Sequence, residues 1–245
     1  MFSLCSTGCR GCKAGPRGAE PSPSGSVVAS SVPSSKRPPP PAVLDPLSAP
    51  AEAIPLRVPG FGDAMLSVPL GATQPRPLII ALHGNNDRPE WQCRSWRAIA
   101  QRNVWVLCPR GLRRYDSAAD DPRFTYGSAS QTAKELRAAL TALKEKFQYY
   151  VAPGPVVLAG FSLGAGHAVA IANEEPEFFS RIVLIEGGTS NWSSGVATLF
   201  RDRGGKKVLF ACGQESCRTK AVSRARLSGL LGIEARVADG GSVVC

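Results

Sequence analysis

A chain of 245 residues with 43% hydrophobic content has room for one large domain and a tail, and its composition permits an ordinary core. Its formal charge of +10 comes from scattered bases rather than a stripe, which argues for a basic surface and against nucleic-acid binding. No apolar run reaches the length of a membrane span, and the start Met1-Phe2-Ser3-Leu4 is too short for a signal peptide, so the cytoplasm is expected, with export left open by the choice of start site.

Residues 1 to 50 are rich in Pro, Ser, Gly and Ala without a period, including Pro38 to Pro41. Such a stretch buries too little apolar area to offset its ordering entropy, so it reads as a disordered leader. It carries Cys5, Cys9 and Cys12, three thiols without a fourth ligand, which make a poor zinc site. No metal and no organic cofactor is implied.

From residue 54 to 245 the pattern becomes that of a folded domain. Ala64 to Leu70 is expected as an edge strand, because Pro69 is tolerated only at an edge. Leu78-Ile79-Ile80-Ala81-Leu82 has no polar alternation and suits a strand covered on both faces, ending at His83-Gly84. A helix over Pro89 to Arg102, a strand at Val104 to Leu107 and a helix over Ser130 to Phe147 follow. The last of these lines up Ala133, Leu136, Leu140, Leu143 and Phe147 in one stripe, as packing against a sheet requires.

The next segment is the most informative. The apolar run Pro155 to Ala159 leads into Gly160-Phe161-Ser162-Leu163-Gly164, and small residues from Ala165 to Ala172 continue as a helix. A serine at so sharp a strand-to-helix corner has its hydroxyl lifted above the carboxyl edge of the sheet. The strand and helix nearly touch there, so the residues two positions away must be almost side-chain-free, as Gly160 and Gly164 are. The helix N-terminus aims free N–H groups and a positive dipole end at the same point.

Strands at Ile182 to Ile185, Val208 to Phe210 and Glu234 to Val237 alternate with helices near Trp192 to Phe200 and Thr219 to Leu231. Repeated strand–helix units predict an α/β fold with a doubly wound, mostly parallel sheet and ligands above the carboxyl ends of its strands. Cys93 with Cys108, and Cys212 with Cys217, are candidate disulfide pairs; free thiols in a reducing compartment are the competing reading.

From about residue 60 onward, the serine corner, the His83-Gly84 loop and the unit order make the chain resemble the α/β-hydrolase superfamily, nearest to its small carboxylesterase, thioesterase and dienelactone-hydrolase-like members. The resemblance implies hydrolysis of a small-molecule acyl ester or thioester through an acyl-serine intermediate, with Ser162 as nucleophile. It implies an oxyanion hole from the N–H of Leu163 and a second from the loop at Gly84 or Asn85. Two carboxylates compete for the role of acid: Glu186, ending its strand, and Glu215, in the loop beyond Gly213. The family's histidine follows the last strand, but here that strand leads to Ala238-Asp239-Gly240-Gly241-Ser242-Val243-Val244-Cys245. The two histidines, His83 and His167, lie elsewhere. Three expectations stand: a C-terminal truncation before the histidine, a non-catalytic ligand-binding pseudoenzyme, or an unusual role for His167 or His83.

Overall fold

The computed structural model describes residues 43–175 and 178–239. The first part of the leader, with Cys5, Cys9 and Cys12, lies outside the described residues, as does the segment from Gly240 to Cys245. The packed part begins before residue 54. Leu44 and Leu47 are buried, and Leu47 exchanges hydrogen bonds with the turn at residues 71–72 (Leu47 N to Ala72 O, 2.9 Å; Gly71 N to Leu47 O, 2.8 Å).

Ten strands and five helices follow in the order β1 (Ala53–Leu56), β2 (Ala64–Ser67), β3 (Leu78–Leu82), α1 (Pro89–Ile99), β4 (Trp105–Cys108), β5 (Leu112–Arg113), β6 (Phe124–Thr125) and α2 (Ala129–Phe147), then β7 (Val157–Phe161), α3 (Leu163–Glu174), β8 (Arg181–Ile185), α4 (Ser194–Asp202), β9 (Lys207–Cys212), α5 (Glu215–Leu230) and β10 (Glu234–Asp239). Eight strands form one sheet in the order β1-β2-β4-β3-β7-β8-β9-β10. Only the β1–β2 and β2–β4 pairings are antiparallel; from β4 to β10 every pairing is parallel. The doubly wound, mostly parallel sheet expected from the alternation is therefore present, and the order reverses at β3, which is where such sheets open a crevice for ligands.

Two expectations change. The strand from Ala64 ends at Ser67, short of Pro69, because Pro69 has no N–H to give a ladder. Nor is it the edge. β1 pairs along its outer side and takes that place. The short β5–β6 hairpin was not expected either; two-residue strands leave no periodic signal.

Alternation along β3 divides the core. Leu78, Ile80 and Leu82 join the large cluster built with α2, α3 and α4, while Ala81 faces a smaller one formed with Cys93 and Trp96 of α1. The expected stripe of α2 is confirmed: Ala133, Leu136, Leu140 and Leu143 are buried, and the Ser128 side chain caps the helix by accepting from Gln131 N at 3.2 Å. Both candidate disulfides are formed. Cys93–Cys108 ties α1 to β4, and Cys212–Cys217 closes the turn from β9 into α5. Among the described residues no helix is long and apolar enough to cross a membrane.

Candidate active site

β7 sits between β3 and β8 in parallel register, with Gly160 opposite both Leu82 and Leu184, so the three strand ends share one edge of the sheet. Each is followed by a strained residue. Of the five non-glycine residues with positive φ among those described, three are Asn86 after β3 (59°), Ser162 after β7 (51°) and Glu186 after β8 (47°). Such conformations cost on the order of 1–3 kcal/mol each and persist only where surrounding structure enforces them. At Ser162 the enforcement is visible. Its N–H donates to Ile185 O at 2.9 Å, and its φ/ψ of 51°/−112° reverses the chain directly into α3.

Glycines make the corner possible. A Cβ on Gly160 would lie 2.3 Å from Gly164 O, one on Gly164 2.5 Å from His83 O, and one on Gly187 2.5 Å from Ser162 O. All these neighbours are main chain, so no rotamer change could make room. The requirement anticipated for Gly160 and Gly164 extends to Gly187, where only a Gly-Gly pair beyond a strand hinted at it.

Ser162 is exposed and lines a cleft of about 360 Å³ with Ala129, Leu163, Gly166, His167, Ala170 and Asn191. Leu163 opens α3, so its N–H belongs to the first turn, where no intrahelical partner exists. In the loop after β3 the Gly84 N–H donates to Asp87 Oδ2 at 3.0 Å. Gly84 instead provides room, since a Cβ there would lie 3.0 Å from the Phe161 ring and 3.5 Å from Ser162 Cβ. Asn85 is exposed, and its Oδ1 accepts from Arg114 Nη1 at 2.8 Å. Asp87 also accepts from Arg88 N at 2.7 Å and Gln92 Nε2 at 3.3 Å, so one buried carboxylate holds the whole turn. Sequence reasoning passed over Asp87; its only signal was an acid just before Arg-Pro at a helix start.

The two candidate acids fall in different places. Glu186 Oε1 accepts from Gly213 N and, at 3.1 Å, from Gln214 N, so it fastens the β9–α5 turn to the end of β8. It lines a second cleft, of about 250 Å³, which shares Asn191 with the cleft at Ser162. Glu215 is the first residue of α5 and is exposed, pairing with Arg218 at 2.7 Å.

The histidines differ more sharply. His83 is fully buried and stacked on Tyr126, with ring centroids 4.4 Å apart. Its Nδ1 lies 2.7 Å from Gly84 O and its Nε2 2.9 Å from Arg110 O, so both nitrogens are held by main-chain carbonyls. Tyr126 accepts from His83 N at 3.2 Å and donates to Pro109 O at 3.1 Å, and burial pushes its phenol well above the usual range. His167, on α3, sits in the wall of the Ser162 cleft with Nδ1 3.1 Å from Thr132 Oγ1, and burial lowers its pKa. Among the described residues no group of three or more His, Cys, Asp or Glu is placed to hold a metal.

Solved structures resemble this architecture. The fluorophosphonate-binding serine hydrolase F of Staphylococcus aureus matches 78% of this chain and 90% of its own, at 13% identity and a TM-score of 0.54. The chain has the α/β-hydrolase fold. An S-formylglutathione hydrolase from Staphylococcus aureus shares this fold, at 12% identity and a TM-score of 0.53, with 78% of this chain and 87% of that one covered. The chain spans 54% of the length of a thermostable esterase and is covered over 78% of its own, at 17% identity and a TM-score of 0.49. No protein-family model and no curated protein matches the sequence.

Proposed function

We propose that this protein hydrolyses small carboxylic esters or thioesters through an acyl-serine intermediate on Ser162. The observation that carries the reading is Ser162, exposed at a strained strand-to-helix corner, lining a cleft and standing at the N-terminus of α3. A hydroxyl so placed meets a carbonyl carbon while α3 offers unpaired N–H groups to the oxygen. The Leu163 N–H is the first oxyanion donor and Asn85 N–H the second, with Gly84 leaving space between loop and serine. Glu186 holds the β8 and β9 loops together beside the cleft, and Glu215 stays in solvent with Arg218. The cleft walls of Ala129, Gly166 and Ala170 suit a short acyl group.

Attack by Ser162 Oγ forms a tetrahedral adduct, expulsion of the alkoxide or thiolate leaves the acyl-serine, and water releases the acid. Two fold neighbours, a fluorophosphonate-binding serine hydrolase and an S-formylglutathione hydrolase, support this reading. Its test is turnover of p-nitrophenyl acetate and an acetyl thioester by wild type and Ser162→Ala. The expected loss is on the order of 10⁴ or more in kcat. Equal rates in the two proteins would refute it, and a folded wild type that binds but never turns over would favour a non-catalytic ligand-binding role.

A further inference from the structure

Resting on the assignment of Ser162, we propose that His167 is the general base that activates it, taking the serine proton through a bridging water in their shared cleft. The contacts that orient the ring begin at Ser128. Thr132 Oγ1 lies 3.1 Å from Ser128 O and donates its hydrogen to that carbonyl, which can only accept. The Thr132 oxygen is thereby left as the acceptor for His167 Nδ1 at 3.1 Å. With the Thr132 hydrogen on Ser128 O, Nδ1 carries the ring hydrogen and Nε2 presents a bare lone pair. A threonine and a carbonyl on α2 thus do the orienting that a buried carboxylate does for histidine bases elsewhere.

The lone pair is also accessible. Nε2 makes no hydrogen bond among the described residues and is not one of their sealed, unpartnered polar atoms, so it meets solvent. The space that His167 lines is the cleft over Ser162. Side chains on a helix tilt toward its N-terminus, and the Ser162 corner lies at that end of α3. No direct hydrogen bond joins Ser162 Oγ to His167 among the described residues, and a 360 Å³ cleft readily holds the linking water. His83 is no rival, with both nitrogens on carbonyls.

The proton balance closes. As the Ser162 Oγ–C bond forms, its proton passes through the water to Nε2, and the carbonyl π pair becomes the oxyanion. When the adduct collapses, the bond to the leaving group breaks and that group takes the proton from the imidazolium. A second water repeats both transfers in deacylation.

The test is the rate of fluorophosphonate labelling against pH for wild type, Ser162→Ala and His167→Gln. Burial lowers the His167 pKa, so the wild-type rate should rise through an inflection below the ordinary histidine value and level off near neutrality. The titratable groups around His167 are Tyr126 at 5.5 Å between rings, His83 behind it and Glu135 one turn along α2. Their contributions would survive in His167→Gln. The proposal expects that variant to lose the inflection and about 10²–10⁴ in rate. Unchanged rate and inflection in His167→Gln, with Ser162→Ala unlabelled, would overturn the base and leave the nucleophile standing. No labelling of folded wild type would remove both. If the variant does not fold, ¹⁵N NMR of the wild-type imidazole decides: a neutral ring protonated on Nδ1 supports the proposal, and one protonated on Nε2 overturns it.

Discussion

Gly160→Ala probes the corner on which the site depends. The added Cβ would stand 2.3 Å from Gly164 O, 2.4 Å from Gly164 C and 2.6 Å from Ala165 N, all main-chain atoms. Reaching ordinary contact at 3.4 Å requires the start of α3 to retreat by roughly 1 Å. Overpacking of this kind costs about 1–3 kcal/mol. At this chain length that corresponds to a fall in Tm of roughly 2–4 °C for each kcal/mol. The same retreat carries Ser162 and the Leu163 N–H with it, and a misplacement of about 1 Å at a reacting centre costs on the order of 10² in rate. Gly229→Ala is the control. Its Cβ meets nothing within 4 Å, and Gly229 lies in the last turn of α5, so the gain in helix propensity should stabilise by no more than about 0.5 kcal/mol with turnover unchanged. Urea unfolding followed by tryptophan fluorescence, beside ester turnover, measures both. A Gly160→Ala protein that melts and turns over like wild type would refute the reasoning.

Three further outcomes are expected. Asp87→Ala leaves the N–H groups of Gly84 and Arg88 without their acceptor, so stability should fall by about 1–3 kcal/mol and turnover should drop as the loop after β3 loosens; a variant with wild-type kcat would separate that loop from the site. Replacing Cys93 and Cys108 together by alanine opens a link across 15 residues, and chain-entropy arguments put the loss near 3 kcal/mol by urea midpoint, whereas an unchanged midpoint would mean that the bridge restrains nothing. Burial raises the Glu135 pKa in the folded protein above its unfolded value, so its contribution is complete below the unfolded pKa and is lost as pH rises through the folded one. Wild type should therefore lose stability relative to Glu135→Gln as pH climbs from about 4, and a constant offset in their urea midpoints would contradict this.

The fold was legible because its signals are local. The apolar run at Leu78 to Leu82, the α2 stripe and the Gly160 to Gly164 corner each determine an element from a few consecutive residues. β1 escaped notice because Pro55 interrupts its short span, and β2 was drawn too long because Val68 and Leu70 continue its apolar tone past the point where Pro69 ends the ladder. The site was legible only where one segment carries it. Ser162, Leu163 and Gly164 are neighbours in sequence, whereas Asp87, Thr132 and the loop carrying Gly187 and Asn191 support the site from three separate segments. His167 shows the limit most clearly. Its position on α3 was plain, but its bond to Thr132, 35 residues away, exists only once α2 and α3 pack.

The proposed hydrolysis requires that one serine, Ser162, carry the acyl group. Intact and tandem mass spectrometry after acid quench of a p-nitrophenyl acetate reaction tests this most directly. It should find one acetyl group on the peptide containing Ser162 and none in Ser162→Ala. Turnover with that peptide unmodified throughout, or an acetyl group mapped to another side chain, would contradict it.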